Sequence, residues 1–400
     1  AIIKSQIESL ANEKNWIVPI DEDLLEEVTS IVEWPTVFYG EFEEEYLKVP
    51  EQVLITAMKD HQRYFYALNQ ANQLLPIFIS VRNGNSDHLE NVIKGNKKVL
   101  RARLEDALFF YEEDLKQDLA FYLNKLTSVN EHFKLGSLAD KQQRVAAFIP
   151  LIAASVQVDQ ATTNTAIEAA KIYKYDLMTQ TVGEFDELQG EIGYVYAPHY
   201  GINEQVAIAI REQYLPKSSG GQLPTTTASK LLTLADKLDT LIHYFSVDLI
   251  PTGSNDPYAL RRQAMGVVEI LLSTDWQIDL LAILENHSVV KGNNELLKHL
   301  IDFFNARMSV ALEREQIDFD IIQAVVASKG LNFKLMVETA KALQAKKDNE
   351  PENYRAIVEA ISRVVNLGSK AENTNLDLAL AQTESEKTLI SLAQSLGLGN

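Results

Sequence analysis

The 400-residue chain sets 37 basic against 56 acidic residues, a formal net charge of -19, and 46% of it is hydrophobic. That size and apolar content predict more than one hydrophobic core and exclude wholesale disorder. The absence of cysteine excludes disulfides, thiolate metal sites and cysteine nucleophiles together. An acidic chain is a poor background for binding polyanions, so any nucleic-acid contact has to come from a local basic cluster. No apolar run is long enough for a membrane-spanning helix. The opening residues AIIKSQIESLANEKNW lack the apolar centre of a signal peptide. A cytoplasmic location is expected, and the missing initiator Met suggests a piece of a longer protein.

In chain order, the residues from about Ile31 to Asn83 read as mixed α and β. Thr36-Val-Phe-Tyr-Gly-Glu-Phe42 is β-branched and aromatic, and Pro50–Gln62 carries an apolar stripe at Val53, Leu54, Ala57 and Met58. Arg63–Leu68 and Leu75–Val81, separated by the polar turn Asn69–Gln73, predict a hairpin. From Asn96 onward the helical period dominates. It predicts helices over Lys97–Leu126, Lys141–Val156, Thr165–Met178, Glu204–Tyr214, Ala228–Phe245, Pro257–Leu272, Glu295–Gln316 and Phe319–Ala327. Lys346–Asn353 reads as a polar linker, with more helix from Tyr354.

The segment Asn91-Val-Ile-Lys-Gly-Asn-Lys-Lys-Val-Leu-Arg-Ala-Arg-Leu104 carries five basic residues and no acidic one. Gly95 disfavours an earlier helix start and Asn96 is a good N-cap. Lys97 and Lys98 would then lie in a first turn whose free N–H groups make a phosphate site, with Lys97, Lys98 and Arg101 on one face. The bland alternative is a solvated or ion-paired face. Asp256-Pro257 is a helix start signal, followed by Arg261 and Arg262, which could reach a phosphate or pair with neighbouring acids. Asp236, Asp239 and His243 share a helix face at spacings of three and four, and with His199 they could form a divalent metal site. A metal-dependent phosphohydrolase would show an adjacent His-Asp pair, whereas His199 is followed by Tyr200 and no such dipeptide occurs. Helix capping or ion pairing explains Asp236 better. Glu184, Asp186, Glu187 and Glu191 read as solvated or partner-facing acids, and Asp60-His61 as surface. The sequence has no P-loop, dinucleotide fingerprint, G-x-S-x-G elbow or H-E-x-x-H.

Together these blocks resemble the bacterial glycyl-tRNA synthetase beta subunit family. The resemblance is carried by Glu33-Trp-Pro-Thr-Val-Phe-Tyr-Gly-Glu-Phe42, Met58-Lys-Asp-His-Gln-Arg-Tyr-Phe65, Ile79-Ser-Val-Arg-Asn-Gly84, Val99–Phe110 and Leu135–Lys141. It continues through Gly183–Gly190, Leu234-Ala-Asp-Lys-Leu-Asp-Thr-Leu241 and Pro251–Arg262. It implies a mainly α, multidomain chain. Residues 1–95 would form an α+β module similar to the editing-type module of phenylalanyl-tRNA synthetase beta chains. Residues 96–345 would form a helical HD-type domain, and 346–400 a linker and the start of a helical anticodon-binding domain, with the native chain extending further at both ends. The implied protein is the tRNA-handling subunit of an α2β2 ligase, partnered by an alpha subunit that holds the catalytic site and uses ATP and Mg2+, so no catalytic residue, cofactor or metal is expected in this chain. Lys94, Lys97, Lys98, Arg101, Arg103, Arg261 and Arg262 are the candidate contacts to tRNA(Gly). His199 and Asp236 mark vestigial HD-type positions. A metal-dependent phosphohydrolase and a protein-binding scaffold are the alternatives.

Overall fold

The structure, a computed structural model, describes residues 1–328, 330–369 and 381–395. It is mainly helical. Two helices, α1 (Ile2–Lys14) and α2 (Glu22–Ile31), precede β1 (Pro35–Glu41), α3 (Glu51–Gln62), β2 (Phe65–Leu68) and β3 (Leu74–Asn83). The strands form an antiparallel sheet of order β1-β3-β2. Its period of two splits the side chains between two cores. Phe65, Ala67, Ile77 and Ile79 face Ile3, Ile7, Leu24, Leu25 and Val28 of α1 and α2, while Phe38 and Phe78 join the main core on the other side. Gly40 lies opposite Phe78, and a Cβ at position 40 would collide with the Phe78 ring, so a glycine is required there. The expected hairpin is present. The two opening helices have no counterpart among the elements expected from sequence.

β1 is an edge strand, and its edge is partly closed from the side. Phe42 N–H donates to Pro76 O at 3.0 Å and Gly84 N–H to Trp34 O at 2.8 Å, so even-numbered positions bond β3 and odd-numbered ones face outward. There the Gln6 carboxamide of α1 accepts from Val37 N–H (2.8 Å) and donates to Pro35 O (3.1 Å), standing in for a neighbouring strand.

The long helix α4 spans Leu89–Asp114, which corrects the expected start at Asn96. Gly95 and Asn96 lie about two turns inside it. Leu89, Val92 and Ile93 extend the apolar stripe of Leu100, Leu104 and Ala107 backwards onto the main core, which outweighs the cost of about 1 kcal/mol for one exposed helical glycine. Asn96 caps nothing: its amide donates to Val92 O (2.8 Å) and its oxygen accepts from Tyr64 Oη (2.5 Å). Lys97 and Lys98 therefore have no free helix N-terminus beside them.

After α4 come α5 (Leu119–Lys125), the short pair β4 (Asn130–His132) and β5 (Gly136–Ser137), α6 (Leu138–Ser155) and α7 (Gln160–Ala170). Three short or medium helices, α8 (Gln180–Glu184), α9 (Glu191–Val195) and α10 (Glu204–Glu212), lead to α11 (Thr227–Ser246). The chain continues through α12 (Leu260–Leu272), α13 (Leu280–Asn286), α14 (Asn294–Arg314), α15 (Phe319–Val326), α16 (Phe333–Asn349), α17 (Pro351–Gly368) and α18 (Glu384–Ser395). Helix α11 is the hub: buried residues lie all round it, and α6, α7, α10, α12 and α14 pack against it. The expected linker at Lys346–Asn353 is helical on both sides of Glu350, since a Lys346–Glu350 pair and a bond from Glu350 N–H to Lys346 O close the end of α16. Among the described residues, no helix is long and apolar enough to cross a membrane.

One buried carboxylate joins the α4 end to the helices beyond. Asp114, the last residue of α4, accepts from Gln180 N–H (2.7 Å) and Thr181 N–H (3.0 Å) at the start of α8, and from the hydroxyls of Tyr196 (3.2 Å) and Tyr122 (3.3 Å). Its charge opposes the dipole of its own helix but favours the opening of α8. Asp114→Ala removes the acceptor of the Gln180 and Thr181 N–H groups, while the Tyr122 and Tyr196 hydroxyls keep Asp114 O and Thr181 Oγ1, so urea unfolding should show a loss of about 2–4 kcal/mol.

Candidate functional site

The centre of α11 reads Leu234-Ala-Asp-Lys-Leu-Asp-Thr-Leu241, and all of it except Thr240 is buried. Asp239 is 0% exposed. Its carboxylate meets Arg144 Nε (3.0 Å) and Lys141 Nζ (3.4 Å) from α6, and His243 Nδ1 one turn on (3.1 Å). Glu131 of β4 closes the cluster, accepting from Lys141 (2.8 Å) and Arg144 (2.7 Å). Lys141 also reaches Thr240 Oγ1 (2.7 Å) and lies 3.6 Å from Asp236. Asp236 accepts from Tyr173 Oη at 2.6 Å. Burial alone would raise the Asp239 pKa, but Lys141, His243 and Arg144 together hold it well below the usual carboxylate range. Burial likewise works against the charge on Lys141, and Asp236, Asp239 and Glu131 reverse it, raising that lysine's pKa.

Above this cluster lies a cavity of about 580 Å3 bounded by β4, α6, α11, α12 and the loops before α9 and after α10. Two further buried lysines line it. Lys174, 5% exposed, has its Nζ 4.1 Å from the centre of the Tyr214 ring and 4.6 Å from that of Tyr173. Burial lowers its pKa. Lys237, 3% exposed, donates to Gln263 Oε1 at 3.1 Å. Burial, only partly offset by Asp236, pushes its pKa down to about 8. The Tyr214 hydroxyl and Gln213 Oε1 are buried without a hydrogen-bond partner among the described residues. Arg262 and Lys217 are exposed at the rim. A larger cavity of about 780 Å3 between α1, β1 and α4 holds no buried ionisable group.

A neighbouring carboxylate, Asp176, has a different fate. It accepts from Gly190 N–H (2.5 Å) and Gly193 N–H (3.2 Å) through one oxygen, while the other is buried without a partner. Burial raises its pKa to about 6.

The residues singled out from sequence are scattered. Along α4, Lys97 pairs with Glu43 (3.2 Å), Arg101 with Glu105 (2.8 Å) and Arg103 with Glu184 (2.8 Å). Lys94 and Lys98 are exposed and have no ion-pair partner among the described residues. Arg261 donates to Gly253 O at 2.7 Å. Helix α12 starts at Leu260, not Pro257. Asp256 still does the capping, but across a longer turn, accepting from Leu260 N–H (2.8 Å) and Arg261 N–H (2.9 Å) while Ala259 takes a left-handed φ of 53°. Arg262 and Asp236 come together on the wall of one cavity. His199 is exposed, edge-on to Tyr200, and does not join them. The carboxylates proposed for a metal are engaged by Lys141, Arg144, His243 and Tyr173, and among the described residues no group of three or more His, Cys, Asp or Glu is placed to hold a metal ion. Sequence reasoning missed Lys141, Lys174, Lys237 and Tyr214. A signal existed for Lys237: Leu-Ala-Asp-Lys-Leu-Asp-Thr-Leu-Ile sits in a helix too apolar to leave a wet face.

The chain is mainly helical, with a small antiparallel sheet and a charged interior cavity. Its family is settled by comparison. The model of the family described as glycyl-tRNA synthetase beta subunit matches residues 1–327. The glycine–tRNA ligase beta subunit of Streptococcus gordonii is 48% identical over 99% of this chain. Those of Ligilactobacillus salivarius and Bacillus subtilis are 43% and 44% identical over 97% and 98% of it. The chain belongs to the glycyl-tRNA synthetase beta subunit family, and it spans 57–59% of the length of these relatives.

Two substitutions should act in opposite directions. Lys141→Met leaves Glu131 and Asp239 short of a buried counter-charge and should cost about 3–5 kcal/mol in denaturant unfolding. Asp176→Asn should stabilise. A raised carboxyl pKa means that the folded state holds its proton between pH about 4 and 6 while the unfolded chain releases it, so the wild type loses stability as pH rises through that window. The variant's advantage over wild type should therefore be absent near pH 4 and reach the order of 1–3 kcal/mol by pH 7, measured as paired urea titrations.

Proposed function

We propose that this chain is the tRNA-handling portion of the beta subunit of an α2β2 glycine–tRNA ligase, working in the cytoplasm. In this reading the alpha subunit activates glycine with ATP and Mg2+, and this chain contributes no reacting group. The observation that carries it is the family membership along nearly the whole chain. The helical body around α11 would be the HD-type domain, the sheet with α1–α3 the editing-like module, and α17 onward the start of the anticodon-binding domain.

Electrostatics favours particular contacts within the proposed set. An RNA phosphate has to displace Glu43, Glu105 or Glu184 to reach Lys97, Arg101 or Arg103, but meets Lys94 and Lys98 without competition. Those two, four apart on α4, are the leading backbone contacts. Arg262, at the cavity rim, is a contact that neither Asp256 nor Gly253 occupies. Arg261, bonded to Gly253, is the weaker member of that pair. No observation favours a metal-dependent hydrolase.

The test is aminoacylation and tRNA binding with the full-length beta subunit and its alpha partner. Omitting the beta subunit should abolish glycyl-tRNA formation. Lys94→Glu with Lys98→Glu should weaken tRNA binding across sequences and reduce the slope of log affinity against log salt by about 2. Glycyl-adenylate synthesis by the beta chain alone would overturn the assignment of chemistry to the partner, and an unchanged salt slope would remove α4 from the tRNA surface.

A further inference from the structure

We propose that the cavity between α6, α11 and α12 binds the phosphate of a nucleotide, with Lys174 and Lys237 as its buried counter-ions and Arg262 at its entrance. Lys141 is matched by Glu131, Asp239 and Thr240, but Lys174 and Lys237 have no carboxylate within ion-pair distance among the described residues. Taking an ammonium out of water costs several kcal/mol unless a counter-charge repays it. Lysines placed only to fill volume would be better as methionine or leucine. Two such groups on one cavity wall, in a chain of net charge -19, make a local anion site that the overall composition conceals.

Independent polar groups point the same way. Tyr214 lines the cavity, and its hydroxyl is buried with no partner among the described residues, which leaves an unused donor beside the lysines. Lys174 stacks against the Tyr214 ring, which fixes where its charge lies. The volume, about 580 Å3, exceeds what a bare phosphate fills and lies in the range of small-ligand sites. Tyr258 and Gln263, whose Oε1 accepts from Lys237 Nζ, also line the cavity, an aromatic ring and a carboxamide of the kinds that hold a base. The same chemistry is presented by a free nucleoside monophosphate and by the 5′ end of an RNA strand. The proposal is independent of the tRNA reading, since a free nucleotide would satisfy it even if α4 touched no RNA.

The experiment uses the full-length holoenzyme and AMP as probe. Surface and cavity lysines are pulse-acetylated with acetic anhydride, and modification is quantified peptide by peptide. AMP should protect Lys174 and Lys237 severalfold and leave Lys98 unchanged. The Lys174→Met, Lys237→Met double variant, whose apo thermal midpoint reports whether the fold survives, should lose at least about tenfold in affinity for AMP at this site, equivalent to about 1.4 kcal/mol. Removing the 5′ phosphate from tRNA separates the sources. A tenfold loss of tRNA affinity in the wild type but not in the double variant assigns the site to an RNA end. Retained affinity together with AMP protection assigns it to a free nucleotide. If neither AMP nor 5′-phosphorylated tRNA alters acetylation of Lys174 and Lys237, the proposal fails.

Discussion

A carboxylate with no access to water, Asp239, dictates the arrangement of the helical body. A buried charge of this kind survives only with its hydrogen-bonding capacity and its charge both met. Arg144 and Lys141 from α6 and His243 from α11 do this, and Glu131 then balances the two cations from the far side. The requirement fixes α6 against α11 in register and pins β4 over both. Apolar packing alone would tolerate a sliding of one helix on the other, because Leu, Ile and Val side chains are interchangeable along a ridge. An ion cluster with four named geometric partners does not slide.

That fixed register places the next layer. Asp236 and Lys237 precede Asp239 by three and two residues, so they emerge on the adjoining surface of α11, where Tyr173 and Lys174 arrive from the end of α7. The inner charges of Asp239 and Glu131 are matched by Lys141 and Arg144. The outer layer then sets Asp236 and Glu187 against Lys174 and Lys237, with Lys217 and Arg262 at the rim. The positive surplus is a consequence of where neutrality was achieved below it, and it opens onto a cavity instead of onto bulk water. A net charge of -19 and a cationic interior are thus compatible, since electrostatic recognition is decided over a few ångströms and not by the total.

The sequence made the elements legible wherever one period ran unbroken. Glu204–Tyr214, Ala228–Phe245 and Glu295–Gln316 lie within two residues of the helices found. The hairpin was legible because Asn69–Gln73 is a turn between two apolar runs. Local signals failed where tertiary packing overrode them. Gly95 and Asn96 look like a boundary, but Leu89, Val92 and Ile93 had a core to reach, and the helix ran through. Asp256 is a cap, as its place before Pro257 implies, although its carboxylate works across a turn and not at the first helical residue. The site itself was hidden. The basic run on α4 announced itself by density, yet three of its five charges are already paired with acids distant in sequence or one turn away. Lys141 is a single lysine in α6 and Lys174 a single lysine in the turn after α7. Nothing in the one-dimensional pattern says that both, with Lys237, converge on one wall.

Asp236, Asp239 and His243 show most directly why spacing alone could not decide the chemistry. Their intervals of three and four suit a divalent cation, and the helix does place them along one strip. What surrounds them differs from a metal shell. The groups that close on the two aspartates are ammonium, guanidinium and phenol donors, each offering a proton or a fixed positive charge where a metal site would offer lone pairs. A cation entering there would meet repulsion from Lys141, Lys174 and Lys237 before it met a free carboxylate oxygen. The same framework of acids that could have gathered a metal has gathered lysines instead, and with the charge inverted in this way the space above it is suited to anions. The functional difference rests on Lys141, Lys174 and Lys237, none of which belongs to the three-and-four spacing of Asp236, Asp239 and His243.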